Sequence, residues 1–273
     1  MKRLLPLLLV LLLTACGGSR DVELTVFAAS SLQEALTKIG ENYQAEHPGV
    51  TLVFNFDSSG TLKTQIEEGA DCDIFVSAGR KQMDELDAAV APAVNTGAPD
   101  GTGEARLDFI ESNTRFNLLE NNVVLAVPEG NPAGIHSFDG LKTALEFGDI
   151  LLATGNSDVP VGQYTQEIFA YLGLDEASLN AAGVLTYGSN VKEVATQVSE
   201  GTADCGVVYA TDAFSAGLTV VDTATAEMCA QVIYPAAALK TSKAPEKAQA
   251  FLDYLRTSEA GAVLEAMGFT PLA

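Results

Sequence analysis

The chain has 273 residues, 47% of them hydrophobic, which excludes a disordered polymer and allows one large or two medium domains. Its net charge is −21, and so acidic a surface repels nucleic acid and anionic lipid headgroups. The four cysteines lack zinc-site spacing, and the two histidines, His47 and His136, are isolated, so no metal-binding motif stands out.

The chain opens MKRLLPLLLVLLLTAC. Lys2 and Arg3, an apolar run over residues 4–13 and then small residues describe a signal peptide over 1–15, too short for a stable membrane span. LTAC at 13–16 resembles a bacterial lipobox. It implies cleavage before Cys16, lipid on Cys16 and attachment to a membrane surface without a spanning helix. GGSR at 17–20 reads as a tether. Loss of Lys2 and Arg3 takes the mature chain to −23.

Strands and helices then alternate. VELTVFAA (22–29) is β-rich, and the helix after it places Leu32, Leu36, Ile39 and Tyr43 on one face. VTLVFNF (50–56) is a strand, TLKTQIEEG a helix closed by Gly69, and DIFVSA (73–78) a strand followed by a helix over about 80–89. The order βαβαβ predicts a parallel sheet with helices on its faces. Residues 91–105, rich in Gly, Pro and Ala, read as a surface loop. Strands follow at 122–128 and 150–154, then a helix carrying Tyr164, Ile168, Phe169 and Leu172. Next come VLTYG (184–188), a helix with Val191, Val194, Ala195 and Val198 on one face, CGVVYA (205–210), a short helix and LTVVD (218–222). VIYPAAAL (232–239) and two amphipathic helices end the chain. The expected fold is α/β in two lobes, 21–120 with 235–273 and 121–234, each a mainly parallel sheet flanked by helices. In such folds ligands bind where strands end and helices begin, here in the cleft between the lobes. Cys205 and Cys229 fall in the same half and are the preferred disulfide pair, leaving Cys72 single.

The strand-to-helix junctions share a chemistry. Ser30 and Ser31 follow the first strand. Ser58, Ser59, Gly60 and Thr61 follow the second. Gly155, Ser157 and Gly162 come before the helix of the second half, Ser189 and Asn190 before Val191, and Thr211 and Asp212 beside Tyr209. A helix start carries unsatisfied N–H groups and partial positive charge, which suits an anion. Helix capping alone explains any one of these serines. Their repetition, with a phenol at Tyr209, describes a site for a small, fully ionised oxyanion held by neutral donors. Phosphate, sulfate and larger oxyanions all remain open on this pattern.

FAASSL (27–32), SSGTLKTQI (58–66), CDIFVSA (72–78), VPVGQY (159–164), NVKEVATQV (190–198) and GVVYATDA (206–213), in that order over nearly the whole mature chain, resemble the molybdate-binding proteins of bacterial ABC transporters. IYPAAAL (233–239) and MGFTP (267–271) fit as well. The resemblance implies a periplasmic-binding-protein fold of type II. It also implies molybdate or tungstate as ligand, a permease as partner, a monomer, an extracytoplasmic location and no cofactor. The metal would be held as its oxyanion, without direct metal ligands. Carried over by motif, the ligand-binding residues are Ser31, Ser59, Val161, Val191 and Tyr209, with Ser30 and Ser58 as neighbours one register away. Val161 and Val191 would act through backbone N–H groups. The family usually has alanine where Val161 stands. A sulfate or phosphate receptor is the rival reading, in which Asp57 or Asp212 would accept the proton of a protonated phosphate. An enzyme is disfavoured, because no nucleophile lies beside a base and neither histidine lies at a junction.

Overall fold

A computed structural model of the protein describes residues 21–90 and 107–273. The signal peptide, Cys16, its tether and the loop expected at 91–105 lie outside the described residues. β1 (Val22–Ala29) leads through a 3-10 turn (Ser30–Leu32) into α1 (Gln33–Glu46), whose buried residues include Leu36, Ile39 and Tyr43. β2 (Val50–Asp57), α2 (Ser59–Glu67), β3 (Ile74–Val76) and α3 (Arg80–Glu85) follow. β1 pairs parallel with both β2 and β3, so the first βαβαβ unit forms as its alternation predicts. α3 ends four residues earlier than its expected end at Ala89.

β4 (Phe116–Asn121) and β5 (Val123–Val127) are adjacent in sequence but belong to different sheets. The next elements are α4 (Phe138–Phe147), β6 (Leu152–Gly155), α5 (Pro160–Leu172), α6 (Glu176–Ala182), β7 (Leu185–Gly188) and α7 (Val191–Ser199). β8 (Cys205–Tyr209), α8 (Ala210–Ser215) and β9 (Thr219–Thr223) complete the second sheet. β10 (Val232–Ala238), α9 (Pro245–Leu255), α10 (Ser258–Ala266) and β11 (Thr270–Pro271) return to the first. The larger sheet runs β11-β4-β10-β3-β1-β2 and the smaller β7-β6-β8-β5-β9. The chain changes sheets at Asn122 and again between Thr223 and Val232. The two sheets, each flanked by helices, make the α/β two-lobed architecture that the alternation predicts.

Among the described residues neither sheet is mainly parallel, which corrects the expectation: the larger has two parallel and three antiparallel pairings, and the smaller has two of each. β10 runs antiparallel to β3 and β4, and β5 runs antiparallel to β8 and β9. These are the strands beside the two crossings, which re-enter a sheet from the opposite direction. β5 and β8 are buried at every position, as strands covered on both faces must be. Sequence periodicity missed α4, α6, β4 and β11. β11 is two residues long, too short to carry any period.

The expected Cys205–Cys229 disulfide does not form. Cys72, Cys205 and Cys229 are all free and buried. Cys205 opens β8, whereas Cys229 lies within electrostatic reach of Tyr209 at the other end of that strand. Four residue steps set those ends about 13 Å apart, beyond the span of a disulfide. Burial raises all three thiol pKa values, so the groups stay protonated.

Candidate functional site

The strand-to-helix junctions of both sheets converge on one small cavity. Ala29, Ser30 and Ser31 reach it from β1, Asp57, Ser58 and Ser59 from β2, and Ala78 from beyond β3. The smaller sheet contributes Val159, Pro160 and Val161 at the start of α5, Val191 at the start of α7, and Tyr209 at the end of β8. All five carried-over residues, Ser31, Ser59, Val161, Val191 and Tyr209, line this cavity, as do Ser30 and Ser58. Among the described residues, no Lys, Arg or His lines it.

The two serines of DSSG divide two tasks. Ser58 is the N-cap of α2, and its Oγ accepts the Thr61 N–H at 3.1 Å. Ser59 lies one step inside the helix, fully buried. Its Oγ accepts the Ala78 N–H at 2.8 Å, which leaves its own hydrogen to donate into the cavity. Asp57 also lines the cavity, with Oδ1 accepting the Ser58 N–H at 2.7 Å.

α5 begins with Pro160, which has no N–H, while the Gly162 and Gln163 N–H groups return to the Val159 carbonyl. The Val161 N–H is thus the first donor of that helix, and it meets no acceptor among the described residues. At α7, Asn190 caps Glu193 and leaves the Val191 N–H similarly unengaged. Gly162, expected ahead of the helix, lies inside its first turn. A Cβ there would meet the Asn156 carbonyl at 2.2 Å, so glycine is required for the loop to fold against the helix.

Tyr209 is 1% exposed, and its hydroxyl has no partner among the described residues. Burial pushes its pKa well up, with the Tyr234 and Tyr164 phenols adding to the rise, so it remains a proton donor. Its ring stands 6.4 Å from Tyr164 and 6.0 Å from Tyr234. Tyr234 is a residue that sequence reasoning missed. Its phenol lies 2.9 Å from the Ser31 hydroxyl. The available signal was a lone phenol in the otherwise apolar strand IYPAAAL. Asn121, at the first crossing, acts on the same phenol and donates to Thr211 Oγ1 at 2.9 Å.

The lobes are closed on each other. A Cβ at Gly60 would come within 2.1 Å of the Asp158 carbonyl, so the start of α2 touches the loop before α5 in the opposite lobe. Glycine at this position is what lets the two backbones approach so closely. Gln82 Nε2 donates to Gln163 Oε1 across the cleft at 3.2 Å. A larger groove, about 610 Å³, opens beside this contact between α3 and α5. It holds none of the five residues, so size alone does not mark the site. His47 and His136 are exposed and line neither space. Among the described residues, no three His, Cys, Asp or Glu side chains are grouped as metal ligands, and no helix is long and apolar enough to cross a membrane.

Residues 24–270 match the family model for bacterial extracellular solute-binding proteins. Over 258 residues the chain is 34% identical to YvgL of Bacillus subtilis (strain 168), which bears the name of an ABC transporter substrate-binding lipoprotein. That match covers 94% of this chain and 90% of YvgL. The chain is 32% identical to the molybdate-binding protein ModA of Haemophilus influenzae, over 99% of each. Among solved structures, the periplasmic molybdate-binding protein of Azotobacter vinelandii superposes with a TM-score of 0.73 at 21% identity, covering 92% of this chain and all of that one. At that identity the likeness establishes the two-lobed fold. Both sequence relatives are named for binding, one for an ABC transporter substrate and the other for molybdate. The chain therefore belongs to the bacterial extracellular solute-binding proteins and serves an ABC transporter outside the cytoplasm, capturing a solute rather than converting one.

Proposed function

We propose that the solute is molybdate or tungstate, taken up as the tetrahedral dianion by Ser31, Ser59, Val161, Val191 and Tyr209 and delivered to an ABC permease. The observation that carries this reading is the convergence of those five residues, from five separate junctions, on one cavity without a cationic side chain. Hydroxyls, a protonated phenol and helix-start N–H groups suit a fully ionised oxyanion, because every contact is a donor. The orphaned Tyr209 hydroxyl supports it further, since a buried donor without a partner is costly until a ligand accepts from it. The name of the Haemophilus relative points to the same anion.

One observation favours a rival. Asp57 lines the cavity, and a carboxylate there could accept the proton of hydrogen phosphate. Calorimetric titration with molybdate, tungstate, sulfate and phosphate tests both readings. Tight binding of molybdate and tungstate with weak phosphate binding is expected. Phosphate binding more tightly than molybdate would overturn the proposal. We further infer that the mature protein is a monomer, as the family resemblance implies, and that lipid on Cys16 holds it at the membrane, a reading that the LTAC motif and the lipoprotein name of YvgL support.

A further inference from the structure

One charged cluster outside the cavity lining joins the two lobes. Lys192, in the first turn of α7, donates to both carboxylate oxygens of Glu34 at 2.8 and 2.7 Å. Glu34 is in the first turn of α1, on the other lobe. Lys192 Nζ also stands 3.7 Å from an oxygen of Asp212, in the first turn of α8. The Asp212 side chain is fully buried, and neither of its oxygens has a hydrogen-bond partner among the described residues. A carboxylate without donors is costly to bury unless it is neutral or beside a cation. The groups that face it are Lys192 from α7, Glu34 from α1, the Tyr209 phenol at the end of β8 and the Tyr234 phenol on β10. Lys192 is the cation of this set, and Glu34 holds it at the shorter distance.

We propose that Lys192 is a clasp that closes the two lobes over the oxyanion, and that Asp212 is a proton-binding site coupled to this closure, so that capturing the anion takes up a proton. The proposal rests on the reading of the cavity as an anion site. When the lobes part, Glu34 moves away with α1 and leaves Lys192 to Asp212, which water can then reach. When they close, Lys192 turns to Glu34 and Asp212 is sealed off. The arriving dianion, at the Val191 helix start next to Lys192, adds further negative charge.

In the closed arrangement burial pushes the Asp212 carboxyl up to about 7, with Glu34 adding to the rise and Lys192 opposing it. A solvated aspartate titrates near about 3.9. The closed form therefore holds the proton more tightly than the open form. The contribution to closure is complete below the open-state value, shrinks as pH rises and is lost above about 7. Between about pH 6 and about pH 8 this linkage weakens anion binding by about tenfold.

Calorimetric titration with sodium molybdate across that range, on the mature wild-type protein and on Asp212→Asn, Lys192→Met and Glu34→Gln, tests the proposal. Wild-type affinity should fall by about tenfold from the acidic to the alkaline end. Asp212→Asn, which mimics the neutral carboxyl, should bind equally well at both ends. Lys192→Met and Glu34→Gln should bind about three- to tenfold more weakly at the acidic end, because a half-exposed ion pair and a nearby positive charge are modest contributions. A flat wild-type profile, or an unchanged slope in Asp212→Asn, would overturn the coupling. If molybdate bound at no pH, the ligand assignment would fall. Small-angle scattering of the ligand-free protein then decides the clasp alone. It should be more compact at the acidic end in wild type and indifferent to pH in Asp212→Asn, and a pH-independent wild type would overturn it.

Discussion

The Tyr234 phenol and the Ser31 hydroxyl lie 2.9 Å apart, joining the strand that returns from the smaller sheet to the first junction of the larger one. When the phenol donates, Ser31 keeps its own hydrogen for the cavity. On the proposed reading, Tyr234 is a positioning residue for Ser31. Tyr234→Phe should weaken molybdate binding several-fold without unfolding the protein. Ser31→Ala should cost more, because a hydrogen bond to a charged ligand is worth about 1.5–3 kcal/mol, or roughly tenfold or more. The double variant should bind no worse than Ser31→Ala alone, since Tyr234 acts through Ser31. Additive losses in calorimetry would show that Tyr234 acts by another route.

Ser58→Ala and Ser59→Ala should separate stability from binding. Ser58 caps α2, so its loss should cost about 1 kcal/mol of stability and little affinity. Ser59→Ala should cost roughly tenfold in affinity, and some stability as well, because the buried Ala78 N–H loses its acceptor. Urea unfolding and titration on both variants read the two effects. A reversed pattern would make Ser58 the binding serine.

Gly60→Ala places a methyl group against the Asp158 carbonyl of the opposite lobe. Within α2 alanine is the better helix former, so the ligand-free protein should be no less stable. Closure should be hindered and affinity should drop by roughly tenfold or more, the scale of a few lost ligand contacts. Scattering with saturating molybdate should show less compaction than in wild type. Full compaction would mean that the lobes adjust without needing glycine there.

Val161 is fully buried, lines the cavity and carries a β-branched side chain. Molybdate and tungstate have longer bonds to oxygen than sulfate, so fixed donors meet them well and leave sulfate with stretched contacts. On the proposed reading Val161, bulkier than alanine, narrows that space and reduces the margin. Val161→Ala should increase the preference for molybdate over sulfate, measured by competition titration. A preference that falls would show that the cavity is too wide rather than too narrow.

If lipid on Cys16 is the anchor, Cys16→Ser should release the protein from the membrane fraction and leave molybdate affinity unchanged, because Cys16 and the cavity residues are far apart in the sequence. Cell fractionation checks this. A variant as membrane-bound as the parent would remove Cys16 as the anchor.

The sequence by itself determined the alternation of strands and helices, the α/β class and the junctions at which donors gather. Those properties are local. Apolar period, N-caps such as Ser58 and Asn190, and Pro160 at a helix start act within a few residues and are legible in the chain. It also carried the family motifs in order. Tertiary structure alone decided which junctions share a cavity, because Ser31, Ser59, Val161, Val191 and Tyr209 meet only after two sheets form and close on each other. It decided that Gly60 faces the Asp158 carbonyl, that Tyr234 supports Ser31, and that Asp212 lies behind Lys192 without a donor. It also removed the Cys205–Cys229 pair, since shared membership of one half does not bring two ends of a strand together. Each of these depends on contacts between segments far apart in sequence, for which local periodicity holds no signal.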